Sequence, residues 1–254
     1  MFGGDLPGSQ FLSNSRSLTT ENAENGRRVQ KKRTGVDGDG MLKVGLTGAI
    51  ASGKSVVGDM FVALGAHLVQ ADRIAHSLMQ PGEPVYNEVV RHFGREILNS
   101  DGSVNRAKLA EVAFGSAKAG GERASRVDEL NRIVHPVVIR SQDEWMRAIR
   151  LQDPKGVAIV EAALILEAGA DERFDRLVVV TCDSKQRVAR FATRQKMDLE
   201  AARKEVERRM AAQLSDEEKI KRADYVIDNC ASLEHTREQV RQVWEKLSVE
   251  AAKS

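Results

Sequence analysis

Cysteine is nearly absent from this chain, with two in 254 residues, Cys182 and Cys230, and no C-x-x-C pair. Such spacing indicates neither a disulfide framework nor a thiolate zinc site, and it suits a reducing compartment. No apolar run approaches about 18 residues, and the N-terminus lacks the apolar stretch of a secretory signal. A cytoplasmic protein with no membrane partner is therefore expected. Aromatic residues make up 4% of the chain, and the net charge is only +2 although 30% of residues are charged. A dedicated nucleic-acid binder would present a strongly basic face, so no nucleic-acid partner is expected either. The length allows one large domain, or a core with insertions, around a buried parallel sheet.

What is present begins with residues 1–40, which are rich in Gly, Ser, Asn and Thr and carry a basic cluster at Arg27-Arg28-Val29-Gln30-Lys31-Lys32-Arg33. This composition cannot bury enough apolar area to offset its ordering entropy, so a disordered extension is expected. A basic arm touching nucleic acid is the alternative reading. Met41 opens the first strand, which makes it a candidate for the natural start.

Beyond Met41 the chain is organised around Gly48-Ala49-Ile50-Ala51-Ser52-Gly53-Lys54-Ser55, a G-x-x-x-x-G-K-S loop running into Val56. An apolar strand (42–47) precedes it and a helical pattern (54–64) follows. Backbone N–H groups of such a loop, with the positive end of the next helix, cradle a nucleotide polyphosphate. Lys54 is expected to reach the β- and γ-phosphates, and Ser55 to ligate magnesium.

Strands and amphipathic helices then alternate, which predicts a parallel sheet covered by helices. Strand two (66–70) delivers Asp72 to the sheet edge where ligands bind in open α/β folds. An N-cap for a helix over 73–80 is the other role open to Asp72. From Pro81-Gly82 to about Leu151 the pattern is helical, a block placed where an acceptor-binding domain is expected. Within it His135 precedes Pro136, and that order predicts a kink that aims the imidazole. Strand three (157–161) ends in Glu161, in the manner of an acid that holds magnesium directly or through water. Strand four (177–181) is followed by Arg187, Arg190 and Arg194, whose spacing puts them on one helical face. Three arginines with no acid among them repel one another, and a polyanion relieves that; a solvated basic face is the plainer reading. Ser215-Asp216-Glu217-Glu218 reads as a capping box, 225–229 as strand five and 232–247 as a closing helix with Val240, Val243, Trp244 and Leu247 inward.

The motifs Gly45 to Ser55, Gln70-Ala71-Asp72, Pro81-Gly82, Phe93-Gly94, Asp101 to Arg106, Leu130 to Pro136 and Ala223 to Asn229 occur in an order that resembles the dephospho-coenzyme A kinase family. The resemblance covers nearly all of the chain after Met41. It implies an α/β fold of the phosphate-loop NTPase type, with a five-stranded parallel core (41–72, 155–183 and 223–250), a helical coenzyme A domain (73–154) and a helical lid (184–222). It implies ATP with magnesium, transfer to the ribose 3′-hydroxyl of dephospho-coenzyme A, and a monomer or weak homo-oligomer. Asp72 becomes the base at the acceptor hydroxyl, Arg190 and Arg194 serve the lid, and Asn131, His135 and Arg106 fall in the acceptor domain. A nucleoside or nucleotide kinase of the same class is the nearest rival, and a nucleotide switch or motor the rival from another class. A GTP switch would need a guanine-reading Asn-Lys-x-Asp, which this sequence lacks. The chain departs from the family pattern at Gln70, where an Asp is usual, at Ala49 and Ala51 in place of glycines, and at Ala163 in place of a proline. It departs again at Arg187, usually Gln, and Gln195, usually Asp. These changes bear on the metal's surroundings and on the lid.

Overall fold

The computed structural model of the protein describes residues 40–114 and 126–253. The basic cluster and the rest of the N-terminal stretch before Gly40 lie outside the described residues. The core is a five-stranded sheet in the order β2-β3-β1-β4-β5, with every neighbouring pair parallel. Its strands are β1 (Leu42–Gly48), β2 (His67–Gln70), β3 (Val157–Glu161), β4 (Arg176–Thr181) and β5 (Tyr225–Asp228). β1 is central and buried along most of its length, so Leu-Lys-Val-Gly-Leu-Thr-Gly reads as an apolar run rather than an alternating one. The strand order reverses at β1, which opens a crevice at its carboxyl end between two outgoing connections.

Helices cover both faces. α1 (Lys54–Ala63) and α9 (Leu233–Lys253) bury Val57, Phe61, Val240, Val243 and Leu247 against Val44, Leu46 and Val180. The closing helix runs past the expected end at residue 247, because Ala251 on its next inward turn is also fully buried. On the other face Leu177, Val179 and Phe174 meet Met146 and Ile165.

The helical insertion comprises α2 (Ala71–Leu78), α3 (Pro84–Phe93), α4 (Arg106–Phe114) and α5 (Val127–Gln152). It has an apolar cluster of its own, built on Val85, Val89, Phe93, Ile97, Ile133 and Val134. α5 is 26 residues long and serves two cores, with Ile133, Val134 and Val138 in the insertion and Met146 under the sheet. Pro136 lies inside this helix, yet the helix continues through it. The expectation that His135 leaves the helical region ahead of Pro136 therefore fails, since both residues are helical. Inward residues on both sides of the proline, Ile133, Val134 and Val138, hold the segment helical against the local preference.

The segment after β4 folds as α6 (Ser184–Gln195), α7 (Leu199–Ala211) and α8 (Asp216–Arg222). Asp183 and Asp198 cap the first two through side-chain oxygens, and α8 opens with the expected capping box between Ser215 and Glu218. Arg187 does not share a polyanion-facing surface with Arg190 and Arg194. It is buried and ion-paired with Asp216, which fastens α6 to the first turn of α8. The i, i+3, i+7 spacing sets direction only, and burial of one turn of α6 splits the three arginines into different surroundings. No helix among the described residues is long and apolar enough to cross a membrane.

Because the guanidinium of Arg187 is out of solvent, Asp216→Ala should cost about 3 kcal/mol by leaving a buried charge uncompensated. Arg187→Met fills similar space without a charge and should cost less. Denaturant unfolding of the three proteins checks the order, and equal stability of parent and Asp216→Ala would show that the pair carries no stability.

Candidate active site

The loop between β1 and α1 turns its carbonyl groups inward. Lys54 Nζ donates to Gly48 O and Ala49 O at 3.0 Å each, Asn229 Nδ2 donates to Ser52 O at 2.8 Å, and Arg190 Nη1 reaches the same oxygen at 3.4 Å. Two glycines make this packing possible. A Cβ on Gly48 would collide with Val180 O, and one on Gly53, at φ 94°, would collide with the Asn229 amide. Ala51 takes a left-handed φ of 54° where glycine would be relaxed, a strained conformation for a residue with a Cβ.

α1 starts without a side-chain cap and without an acid in its first turn, whereas α6, α7 and α8 are all capped by side chains. An uncapped N-terminus beside a glycine loop leaves N–H donors for an anion. The Ser52 hydroxyl is buried in the same loop with no hydrogen-bond partner.

Beside the loop, buried Glu161 accepts from Ser55 Oγ at 2.8 Å through Oε1 and from Gln70 Nε2 at 2.8 Å through Oε2. β2 and β3 place Gln70 opposite Glu161 in register, so the amide spends its N–H on the acid. The hydroxyl of Ser55 and the carboxylate of Glu161 make an all-oxygen donor set, which fits a hard divalent ion such as magnesium.

Lys54 has its pKa lowered to about 8, first by burial and then by the like charges of Lys219 and Arg194, against the opposing pull of Glu161 and Asp72. Residues from four separate stretches of chain therefore act on this ammonium. Asp72 is not an N-cap: it sits in the first turn of α2, whose N-cap position is Gln70. Its side chain is exposed toward a cleft of about 280 Å³ that Asn131 and His135 also line. The remaining walls are mostly apolar, including Met79, Leu130, Val134, Leu164 and Phe174. Arg173 enters the same cleft and is held by Asp143 at 2.6 Å and Gln142 at 2.8 Å. Arg106, at the start of α4, is exposed and does not line this cleft.

The family profile for dephospho-CoA kinase matches residues 42–235. The dephospho-CoA kinase of Syntrophotalea carbinolica is 42% identical over 200 residues, covering 79% of this chain and 89% of the relative. This chain belongs to the dephospho-CoA kinase family. The Aquifex aeolicus member is 36% identical over 82% of this chain and 98% of its own length. A Thermus thermophilus crystal structure superposes with a TM-score of 0.66 at 30% identity, covering 81% of this chain and 97% of that one. A dephospho-CoA kinase structure from Campylobacter jejuni, at 22% identity and a TM-score of 0.52, shares the fold.

Several residues of this site are illegible as spacing. Asn229 belongs to a quoted motif but reads as the end of a strand. In the structure it is buried, accepts from Thr236 Oγ1 at 3.0 Å, and presents its carbonyl to Arg190 Nη2 at 2.9 Å. Lys219 reads as one charge in a charged helix, yet it is fully buried against Glu167 at 3.0 Å. Ile50 is a variable position of the loop motif and packs with Val188, Phe191 and Val206 of α6 and α7.

A bound phosphate should restore the charge on Lys54. ADP binding at pH 8 is therefore expected to take up about half a proton per chain, and binding at pH 6.5 almost none, because Lys54 is already protonated there. Calorimetry in buffers of different ionisation enthalpy measures this, with Lys54→Ala as the blank. Equal proton uptake at both pH values would show that Lys54 is not the group that responds.

Proposed function

We propose that this chain transfers the γ-phosphoryl group of ATP to the ribose 3′-hydroxyl of dephospho-coenzyme A, giving coenzyme A and ADP. The observation that carries the reading is a site in which Asp72 stands within electrostatic reach of Lys54 at the uncapped start of α1 and also lines a largely apolar cleft. A polyphosphate at one end and a long thiol-bearing arm at the other suit its two chemistries. Membership of the dephospho-CoA kinase family supports the same substrate pair.

In this reading the loop from Gly48 to Val56 orients the polyphosphate, and protonated Lys54 offsets its charge. Phosphoryl transfer asks a protein mainly for positioning and electrostatic stabilisation. Ser55, with Glu161 behind it, would hold magnesium, which supplies further neutralisation of phosphate charge when bound. Gln70 keeps Glu161 in place by occupying its second oxygen. Asp72 accepts the proton of the acceptor hydroxyl as the new bond to phosphorus forms. Asn131 and His135 offer polar contacts to the acceptor in a cleft that is otherwise apolar.

Arg190 and Arg194 divide the lid's work. Arg190 ties α6 to the phosphate loop through Ser52 O and to the residue after β5 through Asn229 O. Arg194 is exposed, 5.7 Å over the Phe191 ring, and close enough to Lys54 to act on its charge, which suits it to a transferring phosphate. Residues 41–72, 155–183 and 223–250 serve as the nucleotide core, 73–154 as the acceptor domain and 184–222 as the lid.

ADP release is expected with dephospho-coenzyme A and not with adenosine, uridine or single-stranded DNA. A preference for any of the other three would replace the proposed acceptor. Asp72→Asn retains shape but removes the charge, and should lower the maximal rate by roughly two to four orders of magnitude with ADP affinity nearly unchanged. A normal rate in that variant would remove Asp72 from the chemistry and leave Glu161 as the next carboxylate to test.

A further inference from the structure

Cys182 and Cys230 lie far apart in sequence, but Cys182 leaves the carboxyl end of β4 and Cys230 follows β5, its parallel neighbour. Both thiols thus arrive at one edge of the sheet. Cys182 Sγ, Cys230 Sγ and a carboxylate oxygen of Asp183 lie within 4.8 Å of one another. Each sulfur faces an N–H donor. Arg190 Nη1 stands 3.3 Å from Cys182 Sγ, and the Asp183 amide donates to Cys230 Sγ at 3.2 Å. Donors of this kind around a sulfur fix its orientation, while burial pushes both thiols up, Cys230 to about 12 with Asp228 adding to it, so an ion has to displace their protons. Asp228 brings a second carboxylate close by, accepting from the Cys230 amide at 2.9 Å. Cys182 is buried, Cys230 half-buried and Asp183 exposed, so the cluster has a wall and an open side.

We propose that Cys182, Asp183 and Cys230 bind one soft or borderline divalent ion of the zinc and cadmium class, at a site distinct from the oxygen donors Ser55 and Glu161. Two sulfurs and one carboxylate select such ions over magnesium, which requires hard oxygen ligands. On binding, the two thiol protons pass to solvent and the ion takes their place. One Asp183 oxygen already accepts from the Gln186 amide at 2.9 Å, which holds the carboxylate in position and leaves its second oxygen for the ion. The two cysteines bracket the segment that carries α6, α7 and α8, so the ion would clamp both ends of that segment beside Arg190. Inhibition of turnover by the ion rests on the role given above to Arg190; binding of the ion does not.

The test is titration of the reduced full-length chain with cadmium in chelator-free buffer, following the sulfur-to-cadmium absorbance. One ion per chain is expected, with affinity lowered more than about tenfold by Cys230→Ser and by Asp183→Asn. Only the cysteine variant should also lose absorbance per bound ion. Melting curves accompany each variant, and Cys230→Ser lies on the open side, where it should leave the fold intact. Absence of a thiolate band in the parent, or cadmium affinity undiminished in both Cys230→Ser and Asp183→Asn, would overturn the site. A separate assay of turnover with and without cadmium then reads the role of Arg190: binding without inhibition would leave the metal site standing and remove that role.

Discussion

The structure depends on how the loop after β1 disposes of its backbone dipoles. Carbonyl groups of Gly48, Ala49 and Ser52 are taken by Lys54, Asn229 and Arg190, all from inside the protein. The amide side is thereby left to the crevice, where the uncapped start of α1 adds its positive end. Without the donors behind it, a glycine-rich loop has many conformations of similar energy. Asn229 and Arg190 restrain it through Ser52 O, and they come from the residue after β5 and from α6 rather than from the loop's own neighbourhood.

That same arrangement links the parts of the molecule that have to act together. Arg190 bonds to the loop and to the end of β5, while Ile50 carries the loop's apolar tip into the α6–α7 cluster. A shift of α6 therefore moves groups bonded to Ser52. On the other side, Glu161 joins Ser55 at the start of α1 to Gln70 at the end of β2, two residues before Asp72. Gln70 shows how a departure from the family pattern is absorbed. An acid at this position would face Glu161 across the parallel pair, whereas the amide donates to it and needs no ion to hold the two side chains together.

Much of this was legible in the residues. All five strands fall within a residue of their expected bounds, and three of them, β1, β3 and β4, are mainly apolar runs because strands buried on both faces have little room for polar residues. The loop motif was secure because strand, glycines, Lys-Ser and helix occur together. Asp72 was ambiguous because an acid just after a strand can serve a helix or a ligand. Its place in the first turn of α2, lining the cleft, resolves that ambiguity as far as capping is concerned. His135 and Arg187 were misjudged for a shared reason: both inferences used local rules, the proline effect and helical spacing, and packing overrode both.

The sequence by itself determined the sheet, the phosphate loop and the family, because each depends on residue type and short-range order along the chain. Tertiary structure decided which polar groups meet. Lys219 with Glu167, Arg187 with Asp216, Asn229 with Ser52, and Cys230 with Cys182 and Asp183 are all contacts between distant stretches. Their partners are set by strand order and helix docking, and periodicity carries no information about either. Burial then changes what such a meeting means, since a charge that would be inert on the surface must be paired once water is excluded.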